Sequence, residues 1–379
     1  MPFVVSFVQG RAITVALRNC NQTLVLLDRT SGGENWLELR PSASAAPNRI
    51  FRYEALNCRP TVSGNEKHMI TSVRTATEAD TAAIAALINA HEFAVDPAAS
   101  MMSHDGTTDF MNGYADESPT HLLEINGITP FAAVVNLHPD ALKKRFYADV
   151  YVSADVENVD EIIGWTISKA RDEHPNWAMW PGANVLDTEL IDGWAKFGFT
   201  LLRRYFTMRM PVPTDFALTT VDGLTIEPID TTDTEQQLDW HRIHQDSFQN
   251  HFGFQARPFD SWVTKALAET TFDPNGVFRA SVDGRTVGFC QCTDEFVEEK
   301  RGYIAALGVG HEFVGNGYGE ALLRHGIAYC ASRGFDSVEL GVDTANESGA
   351  LRLYEKVGFR AESSWIQMSN DEWATNPTS

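Results

Sequence analysis

The sequence predicts an α/β (α+β) protein built from two related units, each a sheet flanked by helices. Three observations predict it. From Met69 onward, strand-like and helix-like segments alternate, and the series is run through twice. The two runs end alike, Trp194-Ala195-Lys196-Phe197-Gly198-Phe199 against Tyr354-Glu355-Lys356-Val357-Gly358-Phe359, 160 positions apart. At 379 residues the chain is long for one domain and natural for two, and its 43% hydrophobic content is enough to bury a core in each.

Residues 1–68 stand apart. They carry eight basic and five acidic side chains, a net +3 against −24 for the remainder, and their short apolar runs keep no period. Pro41-Ser42-Ala43-Ser44-Ala45-Ala46-Pro47 reads as linker. The expectation is a peripheral N-terminal extension over residues 1–68, of a composition that allows disorder. The first unit then spans 69–210. Residues 70–74 are strand-like, and Thr77-Glu78-Ala79-Asp80 opens a helix that places Ile84, Leu87 and Ile88 on one face. An irregular stretch over 96–119 leads to strands at 122–124, 131–137 and 146–153, the first two separated by the turn pair Asn126-Gly127. A helix over 159–171 and the run 194–210 close the unit.

Pro211-Val212-Pro213 begins a linker over 211–223, and the second unit spans 224–379. It repeats the pattern: a strand at 224–229, a helix opened by Thr232-Asp233-Thr234-Glu235, and a hairpin of 277–281 and 286–292 around Asp283-Gly284. The strand 303–309 follows, then a glycine loop, a helix to Arg333 and a strand at 337–342.

Net charge is −21, which argues against nucleic acid and anionic membrane surfaces and suits a cationic substrate such as an amine. No apolar run approaches the roughly 18 residues that cross a bilayer, and the N-terminal Met1-Pro2-Phe3-Val4 has no basic lead, so a cytoplasmic protein is expected. Five irregularly spaced cysteines fit neither a disulfide framework nor a zinc site, and no metal is expected.

Chemistry concentrates in the loop Val314-Gly315-Asn316-Gly317-Tyr318-Gly319. A strand that ends in alternating glycines and then opens a helix gathers backbone N–H groups at a positive helix end, a site for an anion. A glycine cluster alone equally marks a tight turn. The spacing is not that of a dinucleotide-binding turn, and no Lys-Ser or Lys-Thr pair follows as in a nucleotide-phosphate loop. At the matching place the first unit has Ser153-Ala154-Asp155-Val156-Glu157-Asn158-Val159, with no glycine and two carboxylates, and reads as degenerate.

Taken with the strand before it, Asn346, and the ending Leu353-Tyr354-Glu355-Lys356-Val357-Gly358-Phe359, the loop resembles the acetyl-CoA signature of the GNAT family of N-acetyltransferases. Two such units in one chain, the first degenerate, resemble its tandem, actinobacterial members. The resemblance implies two domains, each a mixed, mostly antiparallel sheet flanked by helices. It implies acetyl-CoA as co-substrate and direct attack on it, at the second domain, by a primary amine of a small molecule. Leu307 and Val309 would face the pantetheine arm, Val314, Gly315, Asn316, Gly317, Tyr318 and Gly319 the pyrophosphate, and Asn346 the cofactor arm. Tyr354 would be the catalytic acid. Two departures stand out: Val314 occupies a Gln/Arg position, and residues 302–307 carry no carboxylate to serve as base. Glu295, Glu298, Glu299 and His251 are the candidates left, and a catalytically weak acyl-CoA-binding or regulatory protein is the alternative.

Overall fold

A computed structural model of the chain describes residues 70–112, 119–212, 218–346 and 348–370, together with four strands inside residues 14–57. The chain divides into two compact units, Met1–Lys67 and His68–Ser379. In the smaller, β1 (Thr14–Ala16), β2 (Leu24–Thr30), β3 (Gly33–Pro41) and β4 (Tyr53–Asn57) form an antiparallel sheet in chain order. The rest of the extension expected over 1–68 lies outside the described residues, as does 213–217 of the expected linker.

The larger unit is organised on one twelve-stranded sheet. Its first half contains β5 (Ile70–Thr75), α1 (Thr81–Val95), α2 (His104–Met111), β6 (Thr120–Ile125), β7 (Ala133–Asp140), β8 (Arg145–Val152), α3 (Asp160–Glu173), β9 (Ala178–Asn184), α4 (Thr188–Lys196) and β10 (Thr200–Pro211). The second half contains β11 (Leu224–Pro228), α5 (Thr234–Phe248), α6 (Phe259–Ala268), β12 (Phe272–Val282), β13 (Arg285–Thr293), β14 (Arg301–Val309), α7 (Tyr318–Ser332), β15 (Ser337–Asp343), α8 (Ala350–Val357) and β16 (Arg360–Ser369). The strand order is β11-β12-β13-β14-β15-β10-β16-β9-β8-β7-β6-β5. Among the described residues only β8 with β9 and β14 with β15 run parallel, so the sheet is mixed and mostly antiparallel.

The centre of that order is a strand exchange. β10 ends the first half yet lies beside β15 of the second, and β16 ends the second half yet lies beside β9 of the first. The two exchanged strands pair with each other. The halves are therefore consecutive in sequence but interleaved in space.

Local chemistry explains most elements. Asp233 accepts from the Glu235 and Gln236 N–H groups and so caps α5. Asp283 and Gly284, at φ 49° and 74°, make the two-residue turn between β12 and β13. Thr77 and Asp80 form a capping box, but it opens a 3-10 turn over Glu78–Asp80 before α1 begins. The elements that escape the sequence pattern include three with poor local propensity or none of the expected signals. α2, with its glycine and two threonines, is a poor helix former, held by Ser103 accepting from Gly106 N at 2.9 Å and by burial of Phe110. The second is α6. The third, β9, contains Pro181 and Gly182, residues that argue against an interior strand.

Each half buries helices on both faces of the sheet. Ile162, Ile163, Leu190 and Trp194 of α3 and α4 pack on β7 and β8, while Ile84 and Ile88 of α1 cover the reverse face. In the second half, Leu322, Leu323 and Ile327 of α7 pack with Tyr354 and Val357 of α8, and Trp240 and Trp262 cover the other side. Gly302 lets α7 seat closely, since a Cβ there would lie 2.3 Å from Cys330 Sγ. Gly302→Ala is expected to lower unfolding stability by about 1–3 kcal/mol through overpacking. Urea denaturation should show the loss and its partial recovery when Cys330→Ala is added; a neutral Gly302→Ala would contradict the close seat.

Candidate active site

β14 and β15 pair only between residues 301–303 and 337–339. Beyond that point β14 runs on to Val309 and β15 to Asp343 without pairing, so the sheet opens into a wedge between them. A buried ion cluster holds the closed end. Arg301 donates to Glu339 at 2.9 Å and to Ser100, Arg209 donates to Glu339 at 2.8 Å, and Glu339 is only 2% exposed.

The glycine loop stands at the mouth of the wedge. Gly315 and Gly317 have φ of 90° and 84°, a region closed to most side chains, and a Cβ on Gly315 would meet nothing within 4 Å. Gly317 is the N-cap of α7, so the N–H groups of Tyr318 and Gly319 lie in the first turn, without partners inside the helix. Gly319 serves packing instead, its Cβ position lying 3.5 Å from Leu353 and Val309. Asn316 is turned away, donating to Phe313 O at 3.0 Å. Asn346 accepts from Ser348 N at 2.9 Å and ties down the turn before α8.

A cleft of about 800 Å³ joins these parts, lined by Val309, Val314 and Asn346 together with Arg203, His251, Phe252 and Asp343. Open space beside positive-φ glycines, a helix N-terminus and an unpaired strand edge fit a long ligand bearing a diphosphate at one end. Val314 is 61% exposed and offers no polar contact. Arg203 supplies a charge that the loop lacks: its guanidinium lies 3.7 Å from Asp343 and 3.9 Å over the Phe252 ring. Sequence reading missed Arg203 because it arrives on the exchanged β10.

Tyr354 is not part of the cleft lining. It is 8% exposed, packed in the core beneath β13 and β14, and burial pushes its phenol up to about 12, with Cys290 adding to the effect. Cys290 is the cross-strand partner of Leu307, so Tyr354 stands close behind the wedge. Of the four candidate bases, His251 lines the cleft, and burial lowers its pKa against the pull of Asp343. Glu299 is committed to Arg301 and to Met101 N. Glu295 lines a separate pocket with Tyr303 and Glu339, and Glu298 is exposed.

The first half repeats this geometry without the glycine loop. Lys196–Asp160 at 2.7 Å is echoed 160 residues on by Lys356–Glu320 at 2.6 Å. The ring pair Trp194–Phe199 is echoed by Tyr354–Phe359. The start of α3, however, is crowded by Asp155, Glu157, Asp160 and Glu161, where a phosphate would meet like charge.

Residues 238–359 match the acetyltransferase (GNAT) family. A mycothiol acetyltransferase of Thermobispora bispora is 33% identical over 174 residues, 44% of this chain and 56% of the relative. One of Propionibacterium freudenreichii subsp. shermanii is 31% identical over 214 residues, 52% of this chain and 62% of the relative. The chain thus spans little more than half the length of these curated relatives. Among solved structures, a GCN5-related N-acetyltransferase from Sphaerobacter thermophilus superposes with TM-score 0.65 at 20% identity, covering 79% of this chain and 94% of that one. A tandem GNAT protein from the clavulanic acid biosynthesis pathway gives 0.61 at 12%, covering 79% and 97%. At such identities they show the fold, and it is the tandem one.

Proposed function

We propose that this chain, whose residues 238–359 form a GNAT acetyltransferase domain, transfers an acetyl group from acetyl-CoA to a primary amine of a small molecule. The observation that carries the reading is the cleft lined by Val309 and Asp343 of the β14–β15 wedge and by Val314, the residue that leads into the glycine loop before α7. The diphosphate would lie on N–H groups of residues 315–319 and the pantetheine arm along Leu307 and Val309. The amine nitrogen attacks the acetyl carbon, whose oxygen is held by backbone N–H groups of outer β14, and the C–S bond breaks. His251, kept neutral by burial, takes the amine proton, and Tyr354 gives its own to the departing thiolate.

The test is release of free CoA thiol from acetyl-CoA across a panel of primary amines. Tyr354→Phe is expected to lower kcat by about 10²-fold while CoA affinity is retained. Protonating the base abolishes attack, and its lowered pKa puts the acid limb of the rate below the ordinary histidine value of 6.5. Tight CoA binding with no turnover on any amine would replace this reading with that of an acyl-CoA-binding protein.

A further inference from the structure

We infer that the first half positions the proposed base: Trp180 of β9, stacked on Phe252, holds the loop over residues 249–257 and with it His251 at the wall of the reaction cleft. This rests on the acetyl-transfer reading. Trp180 is a positioning residue, acting through the loop.

The loop leaves α5 at Phe248 and is tied back to it at Arg257, whose N–H donates to Gln245 Oε1 at 2.9 Å and whose carbonyl lies 2.8 Å from His241 Nε2. Between those anchors the chain crosses to the first half. Phe252 stacks on Trp180, with ring centroids 5.4 Å apart and planes 12° from parallel. A guanidinium lies on each ring, Arg145 of β8 at 3.6 Å from the Trp180 centroid and Arg203 of β10 at 3.9 Å from that of Phe252. The backbone follows closely. Gly253 has φ 69°, and a Cβ there would lie 3.4 Å from Arg145 Nη1 and 3.6 Å from the Trp180 ring. That angle favours glycine, and the approach leaves little room for more. A second clasp ends the crossing, Arg257 Nη2 lying 3.9 Å from the buried Asp140.

Phe252 stays 40% exposed despite its stack, so burial of a core side chain does not account for it. The placement of its neighbour does. His251 N donates to Phe248 O at 2.8 Å and Phe254 N to His251 O at 3.0 Å, so Phe252 sits inside one tight turn with His251, and shifting either shifts the other. The imidazole lies 4.4 Å from the Phe248 ring and lines the cleft beside Phe252. Charged and titratable groups surround it: Asp343 on β15, Arg203 on β10, His244 and Asp246 on α5, and His311 beyond β14. Burial lowers its pKa and Asp343 pulls the other way. Cutting the stack frees the turn and lets water reach the ring. The lowering by burial is then lost, the pKa rises toward the ordinary 6.5, and the nitrogen that takes the proton leaves its place.

Trp180→Leu and Phe252→Leu test this in the full chain, each checked by a thermal melt and assayed on the amine that releases CoA thiol fastest. Each should lower kcat by about 10–10²-fold and carry the acid limb of the pH–rate profile up toward 6.5. KM for acetyl-CoA should stay within about twofold. Trp180→Phe, which keeps an aromatic face, should restore most of the rate and the limb. Added to His251→Gln, Trp180→Leu should cost nothing further. Carbon-13 histidine NMR reads the imidazole without turnover, its Cε1–Hε1 signal assigned by loss in His251→Gln, and both leucine variants should titrate at higher pH than the parent. An unmoved titration and an unmoved acid limb in both overturn the positioning, whatever happens to kcat. A titration that moves while His251→Gln leaves the rate intact upholds the hold on His251 and removes the histidine as base.

Discussion

Gly317→Asp is expected to abolish CoA binding, by about 10³-fold or more, in a chain that stays folded. Gly317 has φ 84°, where a non-glycine residue costs about 1–2 kcal/mol, Asp being among the more tolerant. A Cβ there would touch only Val221, at 3.8 Å, so no clash threatens the core. The new carboxylate would occupy the positive end of α7, where the diphosphate is proposed to lie, and repel it. Gly317→Ala separates the terms: strain without charge should cost only about tenfold. Asp155→Ala, in the matching loop of the first half, should leave CoA affinity unaltered. Unchanged affinity in Gly317→Asp would show that the loop is not the phosphate site. Calorimetric titration with CoA, beside a thermal melt of each variant, reads both.

The loop was legible in sequence because its requirement is local. Positive φ at 315 and 317 and a helix start at 318 are written in adjacent residues, and the structure shows them where the pattern put them. The repeat was legible for the same reason, through endings 160 apart that here bury equivalent ring pairs. The strand exchange was not legible. β10 carries no mark that tells whether β9 or β15 will be its neighbour, since that choice is made by packing between halves. Everything that depends on the exchange was hidden with it, including Arg203 in the cleft and Arg209 on Glu339. β9 was hidden by Pro181 and Gly182, whose propensities its neighbours β8 and β16 override.

Arg301→Met is expected to lower unfolding free energy by about 3–5 kcal/mol, because it removes one partner of a buried pair and leaves the other. Arg301 is 7% exposed and bridges Glu339, Glu299 and Ser100. Without it Arg209 is the one cation left on Glu339 among the described residues, beside the Ser100 hydroxyl, and Glu299 loses its bond to the cluster, keeping Met101 N. Adding Glu339→Gln should restore part of the loss, since the buried negative charge is then gone; a double variant as unstable as the sum of the singles would show that the pair is not coupled. Urea denaturation measures each, and a loss under about 1 kcal/mol for Arg301→Met would rank the cluster with ordinary surface pairs. The same variant reports on function. The cluster lies where β14 and β15 last pair, at Tyr303 and Glu339, so it sets where the wedge begins. Loosening that end should raise KM for acetyl-CoA more than it lowers kcat, because the arm's binding edge moves while Tyr354 remains held by α8 and the core. A variant destabilised as expected but with unchanged KM would separate the fold's need for the cluster from the site's.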